Sequence, residues 1–125
     1  MIPKELYPTS DGDFVKITPS MLNAGAVTPS YDMLLARFTN NSKNSMDDFK
    51  TLVGQAISTV MGPLDPDVDD LQKLTEEEKE NRIFKGYLFI KSDIENVLLL
   101  VLFIKSEYDA TVELGKISQA IFSIS

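Results

Sequence analysis

The sequence predicts an α+β domain in which a small antiparallel sheet, with the hairpin of residues 86–105 at its centre, packs against helices over residues 46–61 and 110–124. In both helical stretches apolar residues recur at spacings of three and four, which is the pattern of a helix that buries one side. In the hairpin stretch, two apolar runs flank a short polar turn. A length of 125 residues is typical of one domain, so we interpret residues 1–125 as a single domain.

The first 30 residues contain four of the six prolines and a turn-like Ser-Asp-Gly-Asp sequence. We therefore expect residues 1–30 to form a largely irregular arm with one short strand over residues 13–17. Thr18-Pro19 and Thr28-Pro29 each place a hydroxyl that caps helices before a proline that suits the first helical turn. The second pair predicts a helix that reaches Phe38, with one apolar side formed by Tyr31, Leu34, Leu35 and Phe38.

The helix over residues 46–61 has both of its ends marked in the sequence. Ser45 is a good N-terminal cap, and Asp47 and Asp48 in the first turn favour the positive end of the helix dipole. Gly62-Pro63 ends the helix, because proline cannot continue its hydrogen-bond ladder. Its predicted buried stripe consists of Met46, Phe49, Val53, Ile57 and Val60.

The hairpin consists of residues 86–91 and 97–105, joined by the polar turn of residues 92–96. Its second strand has no polar side, whereas a half-buried strand alternates apolar and polar residues, so both of its faces must be covered. Both predicted helices fit on one face. We therefore expect a second copy of the chain to cover the other face, and cover by the chain's own residues is the alternative. The two faces are formed by Val97, Leu99, Val101 and Phe103, and by Leu98, Leu100, Leu102 and Ile104.

The C-terminal helix over residues 110–124 follows Asp109, which is positioned to cap it. Gly115 and several β-branched residues lower its intrinsic helix propensity, which favours a strand from Ile121 onward. The helix is nevertheless predicted, because its apolar residues keep helical spacing at Ala110, Leu114, Ile117, Ile121 and Ile124.

Residues 62–80 form an acidic connector with eight carboxylates and two lysines. Positions 1, 3, 5 and 12 of a calcium-binding EF-hand loop are matched by Asp65, Asp67, Asp69 and Glu76. The glycine of that loop is replaced by Asp70, and one ligand position is occupied by Lys73, so calcium is disfavoured. Helix caps at Asp65 and Thr75 explain the segment better, as the starts of two short helices. We therefore predict no metal site and keep the four matching residues as a weak candidate.

The absence of cysteine and histidine from the sequence excludes disulfides, thiol chemistry and imidazole catalysis. The six glycines never come close enough to form a phosphate-binding loop. We therefore expect no enzymatic activity and no cofactor. The net charge of −7 disfavours nucleic acid as a ligand, and no apolar run approaches the roughly 20 residues that span a bilayer. We expect a cytoplasmic protein that does not bind membranes.

A non-enzymatic protein-binding module is the main functional hypothesis. Such an adaptor, chaperone or regulator acts through its apolar sheet face and its acidic segment. We expect its partner to be another protein, and the acidic segment favours a basic one. We also expect the chain to form a homodimer. The alternative is an acidic inhibitor that mimics nucleic-acid phosphates and blocks a nucleic-acid-binding protein. A calcium-regulated or carboxylate-dependent enzyme ranks last. The candidate partner-binding residues are Asp67, Asp69, Asp70, Glu77, Glu80, Leu98, Leu100 and Leu102.

Overall fold

A computed structural model describes residues 4–18, 31–61, 84–92 and 94–124 of the chain. The elements within these ranges are β1 (Val15–Ile17), β2 (Tyr31–Thr39), α1 (Met46–Met61), β3 (Phe84–Ile90), β4 (Val97–Lys105) and α2 (Thr111–Phe122), preceded by a 3-10 turn at Lys4–Leu6. The strands form one antiparallel sheet in the order β1-β2-β4-β3. The α+β fold predicted from the sequence is confirmed.

The centre of the sheet is the pair β2–β4, which is antiparallel over its whole length. Nine residue pairs run from Tyr31 opposite Lys105 to Thr39 opposite Val97. Strand β1 adds to the outer edge of β2, and β3 adds to the outer edge of β4. The predicted hairpin is therefore present, with β4 inside the sheet and β3 at its edge. Asn96 in the turn has a φ of 66°, a left-handed conformation that asparagine tolerates well.

Strand β2 stands where the sequence predicted a helix reaching Phe38, so that prediction was wrong. Ala36 and Phe38 belong to one buried cluster, whereas Met33 and Leu35 belong to another on the opposite face of the sheet. A short run that is apolar on both sides fits a buried strand and a buried helix equally well. Pairing with β4 decides between them. Residues 19–30 lie outside the described residues. They include Pro19 and the pair Thr28-Pro29, at which helices were predicted to start.

Both helices pack on one face of the sheet, which is called the helix face below. Helix α1 buries Phe49, Val53 and Ile57 there, and α2 buries Ile117 and Ile121. The two helices also contact each other, so that they close one apolar core against the strands. The strand residues buried in this core are Ala36, Phe38, Phe84, Leu98, Leu100, Leu102 and Ile104.

A side-chain oxygen caps α1 but not α2. Ser45 Oγ accepts the backbone N–H of Asp48 at 3.2 Å, as the capping prediction requires. The capping position of α2 is Ala110 rather than the predicted Asp109, and it makes no side-chain capping hydrogen bond. Asp109 Oδ1, one residue earlier, accepts the hydroxyl and the backbone N–H of Thr111 at 2.6 and 3.1 Å, and these bonds hold the pKa of Asp109 below its usual value. Helix α2 begins at Thr111, one residue later than predicted, and ends at Phe122, two residues earlier.

Candidate protein-binding surface

The face of the sheet opposite the helices, called the second face below, carries an apolar cluster that spans all four strands. Strand β4 contributes the largest share, because residues 97–104 are all apolar and successive side chains of a strand point to opposite faces. The strand residues in this cluster are Val15, Ile17, Met33, Leu35, Leu88, Ile90, Val97, Leu99, Val101 and Phe103.

The middle of the second face is buried within a single chain. Leu35, Leu99 and Val101 are each 0% exposed. Leu6 and Tyr7 of the N-terminal segment pack against this cluster. The sequence led us to expect that a second copy would cover this face, but one chain already buries its middle. The apolar cluster is less completely covered only towards its sides.

Four residues at the β3 and β4 side of the second face, called the margin below, are only half-buried. Leu88 and Ile90 lie on the edge strand β3, and Val97 and Phe103 lie near the two ends of β4. Apolar surface that remains in water beside a buried apolar cluster is stabilised when another surface covers it. The margin is therefore the part of the second face that is suited to binding a partner.

The three leucines predicted to bind a partner lie on the helix face instead. Leu98, Leu100 and Leu102 are 2%, 0% and 0% exposed in the core beneath α1 and α2. A partner reaches them only if the helices move away, so the structure places them in the core of the domain. Alternation in the sequence separates the two faces of β4 correctly, but it does not indicate which face the helices cover.

The acidic candidates lie outside the described residues. They are the predicted partner-binding residues Asp67, Asp69, Asp70, Glu77 and Glu80 and the weak metal candidates Asp65, Asp67, Asp69 and Glu76. The hypothesis of an acidic inhibitor therefore stays a prediction from the sequence. Within the described ranges, no group of three or more Asp, Glu, His or Cys residues is placed to hold a metal ion. Neither α1 nor α2, the helices of those ranges, is long and apolar enough to cross a membrane.

The N-terminal segment of residues 4–18, called the strap below, is bound to the end of β2 by polar contacts. Asp11 Oδ2 accepts the backbone N–H of Thr39 at 2.8 Å, and Asp11 Oδ1 lies 3.1 Å from Arg37 Nε. The backbone N–H of Gly12 donates to the carbonyl of Arg37 at 3.0 Å. One carboxylate thus joins the strap to both the main chain and a side chain of β2. The turn around Asp11 is visible in the sequence, but its pairing with a distant arginine is not.

Gly12 places the strap against α2 as well. Its φ of 86° lies in the left-handed region that favours glycine, and its carbonyl accepts the hydroxyl of Ser118 at 3.1 Å. A β-carbon at this position would lie 3.0 Å from a ring carbon of Phe122 and 3.3 Å from Ser118 Oγ. The backbone conformation therefore favours glycine here, and a β-carbon would also require Phe122 and Ser118 to shift by a few tenths of an ångström.

The described residues thus present one apolar surface that their own chain leaves half-buried, the margin formed by Leu88, Ile90, Val97 and Phe103. The edge of β2 is occupied by the strap. Comparisons with protein-family models, with curated proteins and with solved structures find no significant match for this chain.

Proposed function

We propose that this chain is a non-enzymatic, cytoplasmic protein-binding module, an adaptor, chaperone or regulator that acts through the second face of its sheet. The observation that supports the proposal most directly is the margin. Its four side chains are half-buried and continue without interruption into the fully buried cluster around Leu99 and Val101. Covering them removes apolar surface from water next to a core that is already rigid.

The partner that we propose for the margin is a second copy of the chain. A two-fold symmetric interface uses the same patch on both partners, so one apolar patch is buried twice and no second surface has to be present. Leu88 and Ile90 lie on the edge strand, where a second sheet is able to approach both the strand edge and its apolar face. The module is therefore proposed to act as a homodimer.

Light scattering over about 1 to 100 μM protein tests this proposal, since it measures the mass in solution at concentrations where weak dimers form. We expect the mass to rise towards twice 13.9 kDa. Leu88→Lys or Ile90→Lys places a charge in the margin and should return the mass to that of one chain. Val112→Lys is the matched control, because Val112 is 64% exposed on α2 and lies outside the margin. A single-chain mass for the unmodified protein at all concentrations would contradict the proposal.

A further inference from the structure

Strand β3 ends the sheet on one side, and none of the described strands lies beyond it. The sheet has the order β1-β2-β4-β3, in which β3 pairs with β4 only. Backbone N–H and C=O groups along the outer side of such an edge are able to pair with another strand. Residues 86–90 read Gly-Tyr-Leu-Phe-Ile and carry no charge, although a charge is a common means of keeping an edge strand unpaired. This part of β3 therefore has the composition of a strand that pairs.

A bulge limits the part of β3 that can pair regularly. The register with β4 shifts between Phe84 and Gly86, whereas residues 86–90 pair without interruption with residues 99–103. A bulge bends and twists a strand and disrupts its ladder locally. Leu88 is the middle residue of the regular stretch. A two-fold axis beside Leu88 would therefore pair all five residues of this stretch with the same residues of a second copy.

In this register the sequence of β3 is complementary to itself on both faces of the sheet. On the helix face, where Tyr87 and Phe89 pack, each ring would lie opposite the other aromatic residue of the second copy. On the second face, Leu88 would lie opposite its own equivalent, and Ile90 would lie opposite Gly86. The largest aliphatic side chain at one end of the stretch thus meets the residue without a side chain at the other end.

The space beside Gly86 is open to that isoleucine. A β-carbon at Gly86 would meet no heavy atom of the described residues within 4 Å. Phe103, which is half-buried in the margin, lies opposite Gly86 on β4. Ile90 of a second copy would therefore cover Phe103 across the glycine. A stack of two second faces gains less, because the middle of that face, at Leu99 and Val101, is already 0% exposed.

We propose that the homodimer forms by antiparallel pairing of β3 with β3 of the second copy, centred on Leu88. This inference rests on the proposed homodimer and specifies its geometry. Two four-stranded sheets then form one continuous sheet. The outer edges of that sheet are formed by β1, which pairs over only three residues, and very short edge strands do not favour further addition.

Single cysteines test this geometry directly, because the chain contains no cysteine of its own. Opposite residues of antiparallel strands have Cα atoms about 4.5–5.5 Å apart, a distance that a disulfide spans. With dissolved oxygen as the oxidant, Leu88→Cys protein should form a disulfide-linked dimer at least about tenfold faster than Val112→Cys protein, because pairing holds the two thiols together. Val112, which is 64% exposed on α2, is the matched control for random collisions.

Two further variants test the edge and the register. Val97 also belongs to the margin, but edge pairing leaves the two β4 strands three spacings, about 14 Å, apart, which is too far for a disulfide. Val97→Cys should therefore link as slowly as Val112→Cys. In a mixture of Tyr87→Cys and Phe89→Cys chains, mass spectrometry should find mixed disulfide dimers in at least about tenfold excess over dimers of either chain alone, because only the mixed pair is directly opposite.

Light scattering before oxidation distinguishes failure of this geometry from failure of the dimer. A dimer mass combined with slow linking of Leu88→Cys, or with equally fast linking of Val97→Cys, would overturn edge pairing and leave the homodimer in place. A single-chain mass of the unmodified protein at all concentrations would overturn both. If Leu88→Cys itself weakens the dimer, the mixture of Tyr87→Cys and Phe89→Cys decides, and an absence of excess mixed dimers there would overturn edge pairing.

Discussion

Replacement of Gly54 by alanine tests how closely α1 packs on β3. Gly54 is buried in the middle of α1. A β-carbon at this position would lie 2.6 Å from the hydroxyl oxygen of Tyr87 and 3.6 Å from the ring carbon that carries it. The first distance is much shorter than van der Waals contact, and the second is ordinary contact. The obstacle to alanine is therefore a single atom, the hydroxyl oxygen of Tyr87.

Two opposing effects set the expected change in the free energy of unfolding. Alanine in place of glycine inside a helix stabilises by about 1 kcal/mol. Overpacking a core typically costs about 1–3 kcal/mol, and any shift of the Tyr87 ring disturbs its edge-on packing against Phe89, in which the ring centroids are 5.3 Å apart. We expect Gly54→Ala to destabilise the protein by about 1 kcal/mol. In a Tyr87→Phe protein the obstacle is gone, so the same change should stabilise by about 1 kcal/mol.

Urea unfolding of the four proteins of this double-mutant cycle measures the coupling, which we expect to be about 2 kcal/mol. Gly115→Ala is the matched control, because Gly115 is exposed in α2 and a β-carbon there would meet no heavy atom within 4 Å. It should stabilise by about 1 kcal/mol whether residue 87 is tyrosine or phenylalanine. If Gly54→Ala stabilises the unmodified protein as much as Gly115→Ala does, the close contact between α1 and β3 is refuted.

Two further predictions concern polar groups at the ends of elements. Asn40→Ala should lower the free energy of unfolding by about 1–3 kcal/mol, because the 7% exposed Asn40 donates to the carbonyl of Asn44 at 2.9 Å and accepts the backbone N–H of Ser42 at 3.2 Å. The exposed Asn41→Ala should change it by less than about 0.5 kcal/mol, and equal effects in urea unfolding would contradict the burial argument. The Tyr108 hydroxyl donates a hydrogen bond of 2.9 Å to Glu113 Oε1, and this bond, together with the charge of Glu113, raises the pKa of Tyr108 above 10.0. The contribution of this hydrogen bond to stability is therefore complete below about pH 10 and is lost as the pH rises through the raised pKa. NMR titration of the tyrosine ring carbons should show this late titration in the unmodified protein and an earlier one in Glu113→Gln; the same midpoint in both would exclude Glu113 as the cause.

The elements predicted correctly are those whose signals are local. Helix α1 has a cap, a periodic apolar stripe and a glycine-proline end within one stretch of sequence, and the β3–β4 hairpin has two apolar runs around a polar turn. Strand β2 lacks such signals, because its apolar residues fit helical spacing and strand alternation at the same time. Its conformation is decided by pairing with β4, which lies more than 50 residues further along the chain. A contact of that range leaves no local pattern.

The binding surface shows the same division between local and distant information. Alternation along β4 sorts its residues into two faces, and both faces are apolar as predicted. The choice of face for the helices depends on how the whole chain is connected, so Leu98, Leu100 and Leu102 were assigned to a partner although they lie under the helices. The contact between Asp11 and Arg37 was missed for a related reason. Either residue alone resembles an ordinary surface charge, and only the fold brings them together.

The strand order β1-β2-β4-β3 places the strap and the margin at opposite sides of the sheet. Strand β1 of the strap lies three strand spacings, about 14 Å, from β3. The strap nevertheless reaches the apolar cluster that contains the margin, because Leu6 and Tyr7 pack against that cluster. A change in the strap therefore alters both the edge of β2 and the cover of the second face, whereas a charge at Leu88 acts on the margin alone. Leu88→Lys is for this reason the variant that tests the margin without disturbing the contact of Asp11 with Arg37.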